Sequence, residues 1–215
     1  MNTKTIKMDH TKQPLIHNKF FHIYNRGING CDIFNNNKDY ELFLNKYSEY
    51  IEPVAQTYAW CLMKNHFHVV VKINAEDEIQ IIKPKEGETR KFTSNKKYDP
   101  TRQFSHLFNA YARNFNVRNN RTGSLFETSF KRILVDEEQY FKHLIYYIHY
   151  NPVKHGFTGK MFDYPWSSYL TTIAIKPTKL QRDKIIGRFN SKSEFINFHE
   201  SKHDEEIFKV FDLDE

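Results

Sequence analysis

His66 and His68 are the residues whose type and spacing point most directly to chemistry. One residue separates them in the run His66-Phe67-His68-Val69-Val70-Val71, and strand side chains alternate between faces, so both imidazoles project from the same side of a sheet. Such a pair is a ready two-ligand metal site that needs a further donor. Tyr147 and Asn151 stand four residues apart and share one face of a predicted helix, about one turn from each other. An amide oxygen is a hard donor and imidazole prefers transition ions, so a His66, His68 and Asn151 set points to Mg²⁺ or Mn²⁺. A tyrosine beside such an ion is a candidate nucleophile. With an ordinary pKa of about 10 it needs a base, a lowered pKa or a polarised electrophile. Spacing alone does not choose among Tyr140, Tyr146, Tyr147 and Tyr150, which crowd the same helix.

The elements that must position these groups follow from periodicity. Phe20-Phe21-His22-Ile23-Tyr24 reads as a first strand, ended by the turn chemistry of Asn25-Arg26-Gly27. Tyr40, Phe43, Leu44, Tyr47 and Ile51 recur at helical spacing, with Asn37 or Asp39 as cap and Pro53 as stop. Thr57 to Met63 and His66 to Lys72 form a β-hairpin about Lys64-Asn65; its second arm, apolar on both faces past the histidines, belongs inside a sheet covered on both sides. Glu76 to Pro100 is charged and poorly periodic and reads as an inserted loop. Arg102 to Val117 is an amphipathic helix and Phe130 to Val135 a strand. Asp136-Glu137-Glu138 opens the helix that carries Tyr147, because acidic groups favour the positive end of a helix dipole. Pro152 predicts a break or kink near Asn151. The order strand, helix, hairpin, helix, strand, helix suits an α+β fold, a mostly antiparallel sheet with helices packed on it. Residues 1–17 read as a polar N-terminal tail and 18–173 as the principal domain. Asp163 to Tyr169 packs back onto that body, and 174–215 forms an extension with one or two helices.

Bulk properties narrow the partners. The 215 residues carry a formal charge of +6 with a pI near 9.1, which favours a polyanion, because clustered Lys and Arg release counterions from phosphates. Aromatic residues make up 16% of the chain, enough both to fill a core and to stack on unpaired bases. Cys31 and Cys61 are too few for a disulfide framework and lack zinc-site spacing. No stretch approaches about 18 uninterrupted apolar residues, and Met1 to Gln13 is polar rather than an export signal, so the expectation is a cytoplasmic protein without a membrane partner.

Several motifs also stand in a characteristic order: Asn25-Arg26-Gly27; the run from Met63 through Val71; Arg121-Thr122-Gly123-Ser124-Leu125-Phe126-Glu127; Tyr147-Ile148-His149-Tyr150-Asn151-Pro152-Val153; and Tyr164-Pro165-Trp166-Ser167-Ser168-Tyr169. In these the chain resembles the REP-associated tyrosine transposases, relatives of the single-tyrosine HUH insertion-sequence transposases, over roughly residues 18 to 170. The resemblance implies a ferredoxin-like sheet of the HUH endonuclease type. It also implies that His66 and His68 are metal ligands, that Tyr147 is the nucleophile, and that Asn151 is the third ligand where insertion-sequence relatives have glutamine. Two departures are Tyr146, where the family more often has arginine, and the length of the Glu76 to Pro100 insertion.

The function so implied is cleavage and rejoining of single-stranded, hairpin-forming DNA through a 5′-phosphotyrosine, by a monomer or a homodimer. Asn25, Arg26, Arg113, Arg118, Arg121, Lys131, Arg132 and Lys154 are the expected DNA contacts. Two further readings share the scaffold. One is a regulator that binds nucleic acid without cutting, and the other a metal-dependent phosphodiesterase that uses water.

Overall fold

The computed structural model describes residues 10–81, 97–201, 203 and 211. Its elements are β1 (Phe20–Arg26), α1 (Asn37–Ile51), β2 (Ala55–Met63), β3 (His66–Ile73), α2 (Pro100–Arg118), β4 (Lys131–Val135), α3 (Glu138–Lys154), α4 (Tyr169–Ile173), α5 (Arg182–Arg188) and α6 (Lys192–Glu200). The strands form one antiparallel sheet in the order β2-β3-β1-β4. With α1 after β1 and α2 after β3, this is a ferredoxin-like arrangement.

Alternation along the strands divides the core. Phe21, Ile23, Phe67, Val69, Val71 and Ile73 point to one side, where Phe43, Tyr47 and Ile51 of α1 and Phe104, Leu107 and Tyr111 of α2 cover them. Burying each large apolar side chain there contributes roughly 1.5–3 kcal/mol. On the other side Phe141, Leu144, Ile145 and Ile148 of α3 pack with Tyr58 and Val70, and Phe20 meets the edge of Phe141 at 5.2 Å.

Local chemistry sets the helix starts. Asn36 caps α1 by accepting from Lys38 N, so the cap stands just ahead of the Asn37 or Asp39 expected from sequence. Asp39 instead accepts from Asn35 N at 2.9 Å and pairs with Arg118 at 3.2 Å. Asp99 caps α2 through Arg102 N, and Pro100 sits in the first turn, where a missing N–H costs nothing. The predicted break at Asn151 does not occur: α3 runs through Pro152 to Lys154. Proline there removes one intrahelical bond in the last turn, and its carbonyl still accepts from Phe157 N at 2.8 Å.

Both sheet edges are covered among the described residues. Leu62 N donates to Trp166 O at 2.9 Å and Ser168 N to Trp60 O at 2.8 Å, which docks the Asp163 to Tyr169 segment on β2. Arg132 N donates to His10 O at 3.0 Å on the outer side of β4. The expected inserted loop begins and ends in the described part, with a bridge between Ile81 and Lys97; residues 82–96 lie outside it. No helix among the described residues is long and apolar enough to cross a membrane.

Candidate functional site on the α3 face

The register of β1 and β3 sets the floor of the site by placing Tyr24 opposite His68 and Arg26 opposite His66. His66 and His68 point to the α3 side, as alternation requires, with ring centroids 5.2 Å apart. Asn65 Oδ1 lies 2.7 Å from His66 Nδ1, and His22 Nε2 lies 2.9 Å from His68 Nδ1. His68 is buried, and that burial, with the neighbouring His22, His66, His155 and Lys154, holds its pKa well below the usual histidine value. Its Nε2 is buried and has no hydrogen-bond partner among the described residues.

Helix α3 supplies the opposing wall. Tyr147, Asn151 and His155 fall at i, i+4 and i+8 and so share one face. The ring of Tyr147 meets His68 nearly edge-on at 5.6 Å, and that of His155 meets His66 at 5.3 Å, so Asn151 lies between two contacts to the histidine pair. Asn151 is fully buried; its Nδ2 donates to Tyr147 O at 3.4 Å, while Oδ1 has no hydrogen-bond partner among the described residues. Two of the neighbouring tyrosines, Tyr146 and Tyr150, face elsewhere. Tyr146 stacks on Tyr150 at 5.3 Å and lies 4.0 Å from His203, and Tyr140 packs on Phe211. His143 likewise turns toward Phe198 and His203 rather than toward Tyr147.

Between the walls is a cavity of about 210 Å³, lined by Tyr24, Arg26, His66, His68, Lys131 and Tyr147 among others. Asn25, Asn65, Phe67, Glu127, His155 and Phe211 complete its lining. Gly27 holds the rim closed: its N–H donates to Asn65 O at 2.8 Å, and a Cβ there would lie 1.9 Å from Cys31 O. Lys154 Nζ stands 5.5 Å from the centre of the Tyr147 ring, and Phe211 packs on that ring at 5.0 Å. Arg26 pairs with Glu127 at 3.2 Å.

Of the eight expected DNA contacts, Asn25, Arg26 and Lys131 line this cavity and Lys154 touches Tyr147. The other four do not line it. Arg132 follows Lys131 in the strand and so points away, donating to Thr11 O and lying 4.6 Å over Phe130. Arg118 pairs with Asp39, Arg121 donates to Asn116 Oδ1 at 3.1 Å, and Arg113 is exposed on α2. His22, Tyr24, Glu127, His155 and Phe211 join the site without having been singled out from sequence. The i+8 spacing from Tyr147 could have flagged His155. His22 has the parity of Tyr24, but its partner is set by a register that only pairing reveals.

The donor set fits a hard divalent ion. Among the described residues no group of three or more His, Cys, Asp or Glu side chains could hold one, so a ligand set here would need a donor of another type beside His66 and His68. Asn151 offers a buried amide oxygen on the face that meets the histidines.

Sheet, histidine pair and tyrosine helix together define a ferredoxin-like scaffold with a His-x-His strand packed against a tyrosine-bearing helix. The chain is similar to the REP-associated tyrosine transposases. A Haemophilus influenzae protein provisionally named a REP-associated tyrosine transposase is 27% identical over 117 residues, or 53% of this chain. The match spans 58% of that relative's length. A solved structure described as a REP-associated tyrosine transposase bound to a REP hairpin superposes with a TM-score of 0.54 at 17% identity, covering 79% of this chain and 89% of that one, and so shares the fold. A bacterial tRNA(His) guanylyltransferase-like protein in complex with GTP reaches a TM-score of only 0.38 at 8% identity, over 67% of this chain and 66% of that one. No family model matches the chain.

Proposed function

We propose that this chain cleaves and rejoins single-stranded, hairpin-forming DNA, with Tyr147 as nucleophile and His66, His68 and Asn151 as ligands of Mg²⁺ or Mn²⁺. One observation carries the reading: Tyr147 meets His68 at 5.6 Å in a cavity that also holds Arg26 and Lys131. The hairpin-bound relative of the same fold supports DNA as the partner.

Tyr147 Oη attacks the scissile phosphorus and loses its proton. The bond from phosphorus to the 3′ oxygen breaks, and that oxygen takes up a proton and leaves as a 3′-hydroxyl. The product is a 5′-phosphotyrosine, whose ester keeps the bond energy, so a second 3′-hydroxyl can reverse the step and join strands without ATP. A bound Mg²⁺ or Mn²⁺ supplies Lewis-acid polarisation of the phosphate. Lys154 stabilises negative charge beside the Tyr147 ring, while Arg26, Lys131 and Asn25 hold the backbone in register. Tyr147 is 1% exposed, and Phe211 packs on its ring at 5.0 Å.

The test is covalent trapping. Purified protein incubated with labelled hairpin DNA and Mn²⁺ or Mg²⁺ is expected to form an adduct that survives denaturation, and Tyr147→Phe to abolish it while keeping the fold. An adduct formed by Tyr147→Phe removes Tyr147 from the role. Cleavage with no adduct identifies water as the nucleophile, and binding with neither identifies a regulator.

A further inference from the structure

We propose that His22 is a positioning residue for the metal ion, selecting the tautomer of His68 and aiming its Nε2 into the cavity. This rests on the metal site proposed above.

His22 lies on β1 with the parity of Tyr24, so its ring emerges on the α3 face, diagonal to His68 across the β1–β3 ladder. The three rings cluster with nearly parallel planes. His22 lies 4.8 Å from Tyr24 and 5.1 Å from His68, and Tyr24 lies 5.5 Å from His68, with interplanar angles of 25°, 22° and 21°. Within this cluster, His22 Nε2 and His68 Nδ1 are 2.9 Å apart, and a single proton must sit between two neutral rings at that distance.

Which ring owns that proton decides what His68 can do. If His68 donates from Nδ1, its Nε2 carries a lone pair and can ligate. If His22 donates, His68 Nε2 carries the hydrogen and cannot. The buried Nε2 of His68 has no hydrogen-bond partner among the described residues, and in the first state its lone pair is open to a ligand. In that state His22 holds its own proton on Nδ1, a buried atom also without a hydrogen-bond partner among the described residues. An apolar side chain would fill the same space without that cost, so the imidazole is explained by the acceptor it presents to His68. Histidine ligands commonly donate their second N–H to a carboxylate or a carbonyl, and here a histidine takes that place.

The experiment measures Mn²⁺ binding to the full chain without DNA, by electron paramagnetic resonance of free Mn²⁺. His22→Phe keeps an aromatic ring in the cluster but has no acceptor, and is expected to weaken binding by about 10–100-fold. His22→Gln places an amide oxygen near the former Nε2 and is expected to restore most of the affinity. Unchanged affinity in His22→Phe, or Gln no better than Phe with both folded by circular dichroism, overturns the positioning role. No binding by the wild-type chain overturns the metal site and the proposal with it. Should His22→Phe fail to fold, long-range ¹H–¹⁵N imidazole spectra of the Mg²⁺-loaded wild type decide: a His68 proton on Nδ1 supports the proposal and one on Nε2 overturns it.

Discussion

On the face covered by α1 and α2, the sheet presents Phe21, Ile23, Phe67, Val69, Val71 and Ile73; on the face covered by α3 it presents Phe20, His22, Tyr24, His66, His68 and Val70. The two sets alternate along the same strands. The first face is close to a pure hydrocarbon and aromatic core, in which Phe43 touches Phe34, Phe67 and Tyr111 at 5.4, 5.1 and 5.2 Å. The second buries His22, His68, His149 and Asn151, and three of these four carry a polar atom without a hydrogen-bond partner among the described residues. Buried polar atoms of that kind cost about 1–3 kcal/mol each. A fold tolerates them where a ligand satisfies them and where another region supplies the stability. Here one layer is packed with apolar side chains and the other holds the unpartnered polar atoms.

The largest effect should come from the packing face. Phe43→Ala is expected to lower unfolding free energy by about 3–5 kcal/mol, read from the denaturant midpoint, because a fully buried ring leaves a cavity among rigid neighbours. A cost below about 1 kcal/mol would break the division of labour between the faces.

The α3 side should show itself in acid. His199 donates from Nδ1 to Phe195 O at 2.8 Å; its Nε2 is 3.0 Å from His149 Nδ1, and His149 Nε2 is 2.8 Å from Ser168 Oγ. This chain ties α6 to α3, and every proton in it has one place when both rings are neutral. Burial, with His203 nearby, pushes His199 down to about 3; burial, with His199, holds His149 well below its usual value. Folded values below the unfolded 6.5 mean that the unfolded chain binds more protons in acid. Stability is therefore full above about pH 6.5 and falls as pH drops toward 3, by up to about 1.4 kcal/mol per pH unit for each ring. Denaturant unfolding at pH 7, 6 and 5 measures this. The slope should persist in Phe43→Ala, and a flat profile would mean the buried histidines are not held neutral.

The smallest shift in stability should accompany the sharpest loss of function. Asn151→Leu removes a buried amide oxygen that has no hydrogen-bond partner among the described residues, and is expected to leave stability unchanged or raise it by about 1 kcal/mol while abolishing Mn²⁺ binding measured by calorimetry. A destabilisation beyond about 2 kcal/mol would make Asn151 a packing residue instead.

Much of this was legible in the chain. Period-two alternation put His66 and His68 on one side, and helical spacing put Tyr147 beside Asn151; both hold in the structure. The Pro152 break failed because a proline in the last turn removes only one intrahelical bond, and Asn151 and Pro152 are themselves buried. The cationic set was half separated from the cavity because charge has no address in sequence: Lys131 and Arg132 are neighbours on opposite faces.

The sequence by itself determined the elements, their antiparallel character and the placement of His66 with His68 and of Tyr147 with Asn151, because these depend on repeats of two and 3.6 residues that act locally. Only the tertiary structure decided that α3 lies opposite α1 and α2, that Tyr147 rather than Tyr146 meets His68, and that His22 reaches His68 across 46 residues of chain. Those outcomes depend on strand register and on which apolar stripe docks where, and such long-range packing leaves no local pattern behind.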